Sequence, residues 1–464
     1  MTTSAPGSFQ HLFAKVDELE SHFIDRLRRA IRIPSISAHA EARKECFEMA
    51  QMLREEMTLL GIQAQLKDIG YEKHTGLKLP PIVLGRYGQD PKKPTILVYC
   101  HYDVQPAEKS DGWSTDPWEM TTEEDGRLCG RGTSDDKGPL LCWLNAIEAF
   151  QAAGMDVPVN LLFLFEGMEE NGSTGLRAAL EEEASQFLAD VDAVCISDLV
   201  WAGNTYPSIV QGLRGVLFYV LDVTGAEKDA HSGLFGGVIS EPMSDLASIM
   251  SSLVDSKGNI LIPGIYDPVR PVTDVEKEQW GNLGLSEGDL TDSVNGRSLH
   301  SDFIESLVHR WRKPSLSLHR LENAAPGAGA TTSIPAKVRG KFSIRTVPNM
   351  VSSEVDKLVQ QHINTHFRSL GSKNDLHINC VHQSDWFFED SSHWSYQAAI
   401  NATRNVWDHE PGLSCEGGSI PIALDLKQVL KKNVLLLPVG RAGDGAHSIN
   451  GTLLRKSYGD LCAV

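Results

Sequence analysis

Apolar positions follow a helical spacing at the start of the chain and gather into short runs further on. Residues 8–31 carry apolar side chains three or four positions apart, which predicts an amphipathic helix, and a second helix is predicted near 41–60. The segments predicted after an extended stretch are strand 94–100, helix 138–153, strand 159–165, helix 173–187 and strand 191–197. This alternation predicts an α/β fold, in which a mixed, mostly parallel sheet has helices on both faces.

The pattern changes near residue 211. Long strand patterns in GLRGVLFYVLDVTG, KVRGKFSIRTVP and LHINCVH accompany helical patterns near 241–254 and in SSEVDKLVQQHINTHFRSLG, while the polar stretch up to about 300 has no strong periodicity. Strands that pair around helices on one face predict a smaller α+β domain, inserted at 211–388. The first domain then comprises residues 1–210 and 389–464, and a helix at 396–406 and a strand at 433–438 complete it.

Length, charge and cysteine usage narrow the class of protein. A chain of 464 residues is long for a single core, which agrees with two domains. The formal charge of −18 argues against a nucleic-acid partner. No apolar run approaches the roughly 18–20 residues of a membrane span, and the first residues lack the pattern of a secretory signal. The eight cysteines form no CxxC pair, which favours reduced thiols and a cytosolic location.

Metal-ligand side chains follow the strand-like runs. TILVYC leads into His101 and Asp103, NLLFLFEGM into Glu169 and Glu170, and AVCIS into Asp198. The other candidates are Asp135 and Asp136 in GRGTSDDKGP and His447 in GDGAHSIN. Ligands gather outside the carboxyl ends of strands in open α/β sheets, so we expect these side chains to meet. Two histidines and three carboxylates are enough for two metal ions that share a bridging ligand.

Each of these residues has an ordinary explanation when it is taken alone. A His-x-Asp motif is most often a surface pair, the Asp135–Asp136 dipeptide would usually be a solvated turn or a helix cap, and Asp198 would also serve as a cap. Glu169 and Glu170 would mark a solvated helix start. Their joint occurrence at strand ends favours the metal site, in which one of two adjacent glutamates can bind metal while its neighbour faces a metal-bound water.

The motifs HYDVQPA, GRGTSDDKGP, FEGMEENGS, CISD, HSGLFGG, GKFSIRTVP, EGGSIP and GAHSIN, in this order, resemble those of the M20 metallopeptidase family. Within that family the chain is similar to the cytosolic non-specific dipeptidases (the carnosinase-like branch), which include the fungal cysteinylglycine dipeptidases. The resemblance covers almost the whole chain. It implies a catalytic domain, an inserted dimerisation or lid domain, and two divalent metal ions, zinc or manganese.

The same resemblance assigns roles to the candidate ligands. It implies that His101 and Asp198 hold one metal ion, that Glu170 and His447 hold the other, and that Asp135 bridges the two. Asp103 would orient His101, and Glu169 would be the general base. Three carboxylates offset three of the four positive charges of two divalent ions, which leaves a Lewis-acidic centre that lowers the pKa of bound water toward about 7.

The resemblance also implies a set of substrate contacts. His231, in HSGLFGG, would reach the active site of the partner subunit and stabilise the tetrahedral oxyanion, and Arg345 would bind the substrate carboxylate. Glu416 would lie near the substrate amino group. Further contacts are implied for Thr332, His382 and Ser419. Without the resemblance, a surface histidine and a salt bridge at a strand edge would be the simpler interpretations of His231 and Arg345.

Two features depart from the family pattern. Cys100 precedes His101 where glycine is common, and we expect it to crowd the end of the strand slightly. The chain continues for 17 residues after His447 (464 − 447), and GTLLRKSYGDLCAV is short for the helix that usually closes the catalytic domain. We therefore expect some apolar surface of the sheet to remain uncovered and stability to be reduced.

Together these observations predict a homodimeric, cytosolic metallodipeptidase that hydrolyses short L-dipeptides, with Cys-Gly as a favoured candidate. Three other hypotheses remain open: an amidohydrolase of N-acyl amino acids, a pathway-specific enzyme that trims or joins amide bonds, and a non-catalytic subunit of a glutathione-degrading complex. Arg345 together with Glu416 favours a ligand that is charged at both ends, which disfavours the first. The complete set of candidate ligands with Glu169 argues against the last.

Overall fold

The structure, a computed structural model, describes residues 6–281, 283–291, 295–323, 332–418, 420–455 and 458–459. The helices are α1 (Pro6–Ile31), α2 (Arg43–Leu59), α3 (Lys137–Ala152), α4 (Leu176–Glu183), α5 (Ser232–Phe235), α6 (Pro242–Ser251), α7 (Asp274–Gly281), α8 (Glu287–Thr291), α9 (Phe303–Trp311), α10 (Ser352–Ser369), α11 (Trp394–Trp407) and α12 (Pro421–Leu430).

The strands are β1 (Gln63–Lys67), β2 (Ile82–Tyr87), β3 (Thr95–His101), β4 (Thr121–Thr122), β5 (Arg127–Cys129), β6 (Asn160–Glu166), β7 (Ala193–Ile196), β8 (Ser208–Leu213), β9 (Gly215–Thr224), β10 (Ala230–His231), β11 (Ser315–Asn323), β12 (Ser333–Ile334), β13 (Lys337–Thr346), β14 (Asp375–Ser384), β15 (Phe387–Phe388), β16 (Gly412–Glu416), β17 (Asn433–Leu436) and β18 (Thr452–Leu454). The predicted strands and helices of the first 200 residues lie within a few residues of these bounds.

The largest sheet has the order β1-β2-β6-β3-β7-β17-β8-β15, and β16 pairs with β8 outside this path. Its centre, from β6 through β3 and β7 to β17, is parallel. Strands β1, β2 and β15 make antiparallel pairs, so the sheet is mixed. Residues of α1, α2 and α3 pack in one core cluster on this sheet, and α4 and α12 belong to a second cluster. The predicted α/β class is confirmed.

A second sheet has the order β11-β13-β9-β14 and is antiparallel throughout. Burial alternates along β9: Leu217, Tyr219 and Leu221 face a core that includes residues of α6 and α10, and the residues between them are more exposed. This alternation is typical of a sheet with one covered face. Arg214 alone separates β8 of the large sheet from β9 of the small sheet. The domain limits at 211 and 388 stay predictions.

Several parts of the fold were not predicted from the sequence, among them β16, α12 and the two regions described next. The polar stretch before residue 300 contains α7 and α8, and with α9 it packs around Trp280 and Trp311, whose rings meet edge to face at 5.4 Å. A three-stranded sheet, β18-β5-β4, joins the region after His447 to the segment before Asp135. Among the described residues, no helix has the length and apolar composition needed to cross a bilayer.

The expectation of uncovered apolar surface has a counterpart in the large sheet. A groove of about 430 Å³ lies between α3 and α11, and Trp143, Phe150, Leu435 and Leu437 are among its lining residues. Tyr458 does not contribute to it, since its buried ring reaches Asn145 and the carbonyl of Phe23 instead. The effect of this groove on stability stays a prediction.

Candidate metal centre and active site

The carboxyl ends of the central parallel strands carry most of the candidate ligands. β3 ends at His101, a 3-10 turn at Glu169–Asn171 follows β6, and Asp198 lies two residues beyond β7. The two remaining loops precede α3, with Asp135, and follow β17, with His447. The fold therefore brings together side chains from five separate segments, as the sequence predicts.

Asp135 lies between two imidazoles. Its Oδ1 atom is 2.9 Å from Nε2 of His101, and its Oδ2 atom is 2.9 Å from Nε2 of His447. Asp198 Oδ1 is 3.6 Å from the same atom of His101, and Glu170 Oε2 is 3.3 Å from that of His447. One carboxylate thus links a His101–Asp198 group to a Glu170–His447 group, which is the arrangement of a bridging ligand.

The chemistry of these side chains fits divalent cations. Two groups of potential ligand atoms each lie within 4.8 Å of one another: His101 with Asp136 and Asp198, and Asp135 with Glu170 and His447. Asp136 adds a further indication, because its buried Oδ1 has no hydrogen-bond partner among the described residues, while Oδ2 accepts from the His101 amide at 3.0 Å. A buried carboxylate oxygen is costly unless a donor or a cation compensates it.

The electrostatics of the candidate ligands are those of a cation site. Burial, with the nearby charges of Asp135 and Glu170, raises the pKa of Asp198 to about 6. Hydrogen bonds to Asp135 and Glu170 raise the pKa of His447 to about 10. The carboxylates around His447 therefore favour a positive charge at this position. Metal ions require neutral histidines, so a bound cation would take the place of a proton on His447.

Asp103 supports both His101 and the glutamate turn. His101 Nδ1 is 3.0 Å from the main-chain oxygen of Asp103 and 3.3 Å from its Oδ1 atom, so the nearer acceptor is the carbonyl. The carboxylate accepts hydrogen bonds from the amides of Glu169 at 3.2 Å and Glu170 at 3.1 Å. The residue expected to orient His101 therefore also fixes the start of the turn that carries both glutamates.

Two further residues support the site and were not singled out from the sequence. Gln105 donates through Nε2 to Glu170 Oε2 at 2.6 Å, and buried Arg131 donates through Nη1 to the carbonyl of Ala446 at 2.6 Å. Arg131 thereby holds the loop next to His447. Both lie inside the quoted motifs HYDVQPA and GRGTSDDKGP, which is the only sequence signal that could have identified them.

Glu169 lies next to Glu170 in the turn, and its side chain has no place in either ligand group. Burial raises its pKa well above the ordinary range; the neighbouring charge of His101 opposes this, and the charges of Asp198 and Glu166 add to it. Glu166 itself is buried and accepts hydrogen bonds from Tyr99 at 2.6 Å and Ser173 at 2.8 Å. These contacts join the end of β6 to β3 and to the segment that follows the glutamate turn.

Comparison with known proteins agrees with this geometry. Residues 97–464 match the model of Peptidase family M20/M25/M40. The chain belongs to this family. The enzyme class expected from the sequence, a peptide hydrolase of the M20 metallopeptidases, is confirmed, and M20 metallopeptidases use divalent metal ions.

Relatives with similar sequences span nearly the whole chain. It is 49% identical to the Cys-Gly metallodipeptidase dug1 of Schizosaccharomyces pombe, over 96% of this chain and 94% of that protein. It is 38% identical to the human Beta-Ala-His dipeptidase, over 98% of this chain and 90% of that protein. The solved structure of the dipeptidase Dug1p from Saccharomyces cerevisiae has a TM-score of 0.88 and 43% identity, covering 99% of this chain and 97% of that one.

The residues that the M20 resemblance links to substrate lie on other elements than the metal ligands. His231 is exposed on β10 and accepts a hydrogen bond from the Gly233 amide at 3.0 Å, and the Thr332 carbonyl accepts one from Ser232 at 2.8 Å. Arg345 lies near the end of β13, and His382 lies on β14. Ser419 lies outside the described residues.

Glu416, at the end of β16, is held by donors. Its Oε1 atom accepts from the amides of Gly417 at 2.6 Å and Gly418 at 3.3 Å, and Arg310 Nη2 is 3.5 Å away. Arg214 connects this loop to the small sheet, because its guanidinium donates to the Gly417 carbonyl at 3.0 Å and to Ser315 Oγ on β11 at 3.0 Å. The single residue between the two sheets therefore also contacts the Glu416 loop.

Proposed function

We propose that this M20 peptidase is a dinuclear metallodipeptidase that hydrolyses short L-dipeptides, with Cys-Gly as a favoured substrate. The observation that carries the proposal is the position of Asp135, whose two oxygens each lie 2.9 Å from a different imidazole. Relatives named as Cys-Gly metallodipeptidases and Beta-Ala-His dipeptidases, aligned over nearly the full chain, support the dipeptide class.

Two divalent ions, zinc or manganese, would occupy the centre. His101 and Asp198 would hold one, Glu170 and His447 the other, and Asp135 both; Asp103 would keep His101 oriented. Bound ions of this kind supply a Lewis acid and an acidified water. Glu169 would accept a proton and deliver it to the leaving amine, a contribution of roughly 10²–10⁴-fold in rate. Its half-buried position next to Glu170 supports that role.

The substrate would be held at both ends. Arg345 would bind the carboxylate of the dipeptide, because a guanidinium matches that group in charge and geometry. Glu416 would lie near the amino group, with Thr332, His382 and Ser419 as further contacts. His231 would stabilise the oxyanion in the active site of a second copy of the chain. Its exposure beside Leu234, which is 72% exposed, supports a shared site in a homodimer.

A cytosolic role in the breakdown of glutathione would follow from a preference for Cys-Gly. The cysteines among the described residues are free, and all but Cys380 are buried, which supports a reducing compartment.

A panel of substrates tests the proposal. The purified chain is treated with chelator and assayed with Zn²⁺ or Mn²⁺ on Cys-Gly, Ala-Gly, β-Ala-His and N-acetyl-alanine, with the Glu169→Gln variant as the blank. We expect metal-dependent release of amino acids from the dipeptides only. Preferential hydrolysis of N-acetyl-alanine would indicate the amidohydrolase alternative. Inactivity with both metals would contradict the proposed function.

A further inference from the structure

Among the described residues, the helices that pack on the small sheet contribute to the core on one face only, and none of them covers the other face. On β9 this face carries Phe218, and on β13 it carries Ser343, which pairs directly with Phe218. Residues directly opposite in a sheet share a face, so the two side chains are neighbours. Phe218 is half-buried, whereas the alternate residues Leu217 and Tyr219 are fully buried in the core on the other side.

Each edge strand of the small sheet, β11 and β14, has a β-bulge next to the pair formed by Phe218 and Ser343. In β11, Leu318 pairs with Phe342 and Arg320 pairs with Lys341, which leaves His319 as the extra residue of a bulge. In β14, a second bulge leaves Val381 extra, so that His382 pairs with Phe218. Bulges redirect side chains and are frequent next to active sites.

The two bulges bring two imidazoles to one phenylalanine. The ring of His319 stacks on Phe218 with centroids 5.4 Å apart and planes inclined by 6°. Its Nε2 atom is 2.9 Å from Ser343 Oγ, which fixes the ring on the open face. His382 flanks Phe218 from the other strand. Both histidines are exposed, so this aromatic plate is accessible in the single chain.

Arg345 lies two residues beyond Ser343 on β13 and therefore projects from the same face. Two residues of a strand span about 7 Å. The distance from the carboxylate of an amino acid to the end of a histidine or phenylalanine side chain is of the same order. An amino acid whose carboxylate binds Arg345 can therefore place its side chain against Phe218 and His319.

We propose that Phe218 and His319, with Ser343 and His382 beside them, form the subsite for the side chain of the C-terminal residue of the dipeptide. The plate favours flat, unsaturated side chains, such as histidine and phenylalanine, because these rings stack on it in offset or edge-to-face geometry. This inference rests on the proposed function, in which Arg345 binds the carboxylate. It adds a class of C-terminal residue, besides glycine, that the enzyme would accept.

Phe218→Leu and His319→Ala test the subsite. The measurement is the ratio of kcat/KM for Ala-Phe to that for Ala-Gly, and likewise for Ala-His, in the metal-loaded enzyme. Because aromatic stacking is of modest strength, we expect each variant to lower these ratios by about threefold to tenfold. Val220→Ala is the matched control: it removes an apolar side chain from the same face of β9, two residues further from Arg345. Its ratios should equal those of the unaltered enzyme.

Ratios that stay unchanged in both variants would overturn the subsite, as would an equal fall in the control. Binding of Ala-Phe and Ala-Gly to the Glu169→Gln enzyme, measured by calorimetry with and without Phe218→Leu, gives the same comparison without turnover. A lower ratio of the affinity for Ala-Phe to that for Ala-Gly in the double variant supports the subsite, and an unchanged ratio refutes it. Failure of the unaltered enzyme to hydrolyse any dipeptide would instead contradict the proposed function.

Discussion

Oδ2 of Asp135 lies 2.9 Å from Nε2 of His447, and this contact joins the loop before α3 to the loop after β17. The other oxygen of the same carboxylate faces His101 at the same distance. Among the described residues, Asp135 thus contacts a histidine of each candidate ligand group. A change at this residue and a change at one of the two histidines should therefore have different consequences for metal binding.

We expect Asp135→Asn to weaken the binding of both metal ions, because a shared carboxylate screens the repulsion between two cations about 3.5–4 Å apart. His101→Ala should mainly weaken the binding of one of the two ions. The loss of a residue that only supports a metal ligand already lowers metal affinity about 10–100-fold. Removal of the bridging charge should therefore lower the affinity by more than this. Titration of the metal-free variants with Zn²⁺ measures both steps. Selective loss of a single ion in Asp135→Asn would indicate a different bridge.

Glu169→Gln separates catalysis from metal binding. The substitution keeps the shape of the side chain and removes its basicity, so kcat should fall by roughly 10²–10⁴-fold. Metal content should stay at the level of the unaltered enzyme, because Glu169 belongs to neither ligand group. Metal analysis and turnover on one sample test this. A variant that loses its metals, or one with near-normal turnover, would contradict the role as general base.

The proposed role of His231 across a dimer can be tested by mixing two inactive variants. If subunits exchange, heterodimers of His231→Ala with Glu169→Gln should recover part of the activity, because one of their two sites combines an intact base with an intact donated imidazole. Isolated heterodimers carrying two different tags provide the sample, and each tagged homodimer is a control. Heterodimers as inactive as the homodimers would show that His231 acts in its own subunit or has another role.

Glu166 should make folding stability depend on pH. Burial raises its pKa from 4.5 to about 7, so protonation favours the folded state. The contribution is complete below about pH 4.5 and is lost as the pH rises through about 7. A shift of this size corresponds to roughly 3 kcal/mol. Between pH 5 and 8 the free energy of unfolding should therefore fall in the unaltered chain, and we expect this fall to be absent in Glu166→Gln.

Urea unfolding of the chelator-treated proteins measures this dependence, since bound cations would themselves lower the pKa of Glu166. Glu124→Gln, at an exposed position, is the matched control and should keep the pH dependence of the unaltered chain. An identical pH dependence in Glu166→Gln and in the unaltered chain would show that Glu166 ionises without cost in the folded state.

The candidate ligands were identifiable from the sequence because each has both a chemical and a positional signal. His101 follows a buried strand, and Glu170 and Asp198 come soon after two others, so the parallel order of the strands was enough to predict that they meet. The quoted motifs supplied Asp135 and His447. The fold class followed from the same alternation of strands and helices.

The supporting contacts had no such signal. Arg131 donates to a main-chain carbonyl, that of Ala446, and any residue can supply a carbonyl. Strands β4, β5 and β18 have two or three residues each, too few for a periodicity to develop. Two bulges place His319 and His382 beside Phe218. A one-residue shift in pairing of this kind cannot be recognised from the alternation of one strand alone.

The pairing of β18 with β5 also concerns the biosynthesis of the enzyme. Thr452 pairs with Cys129, so the strand just after His447 joins the segment just before Asp135. A ribosome releases His101, Asp135 and Glu170 long before it releases His447. During that interval the nascent chain holds an acidic cluster without its last imidazole or the strand that keeps it in place. The appearance of hydrolytic activity should therefore follow the release of His447 and β18 from the ribosome and not the folding of residues 1–210 alone.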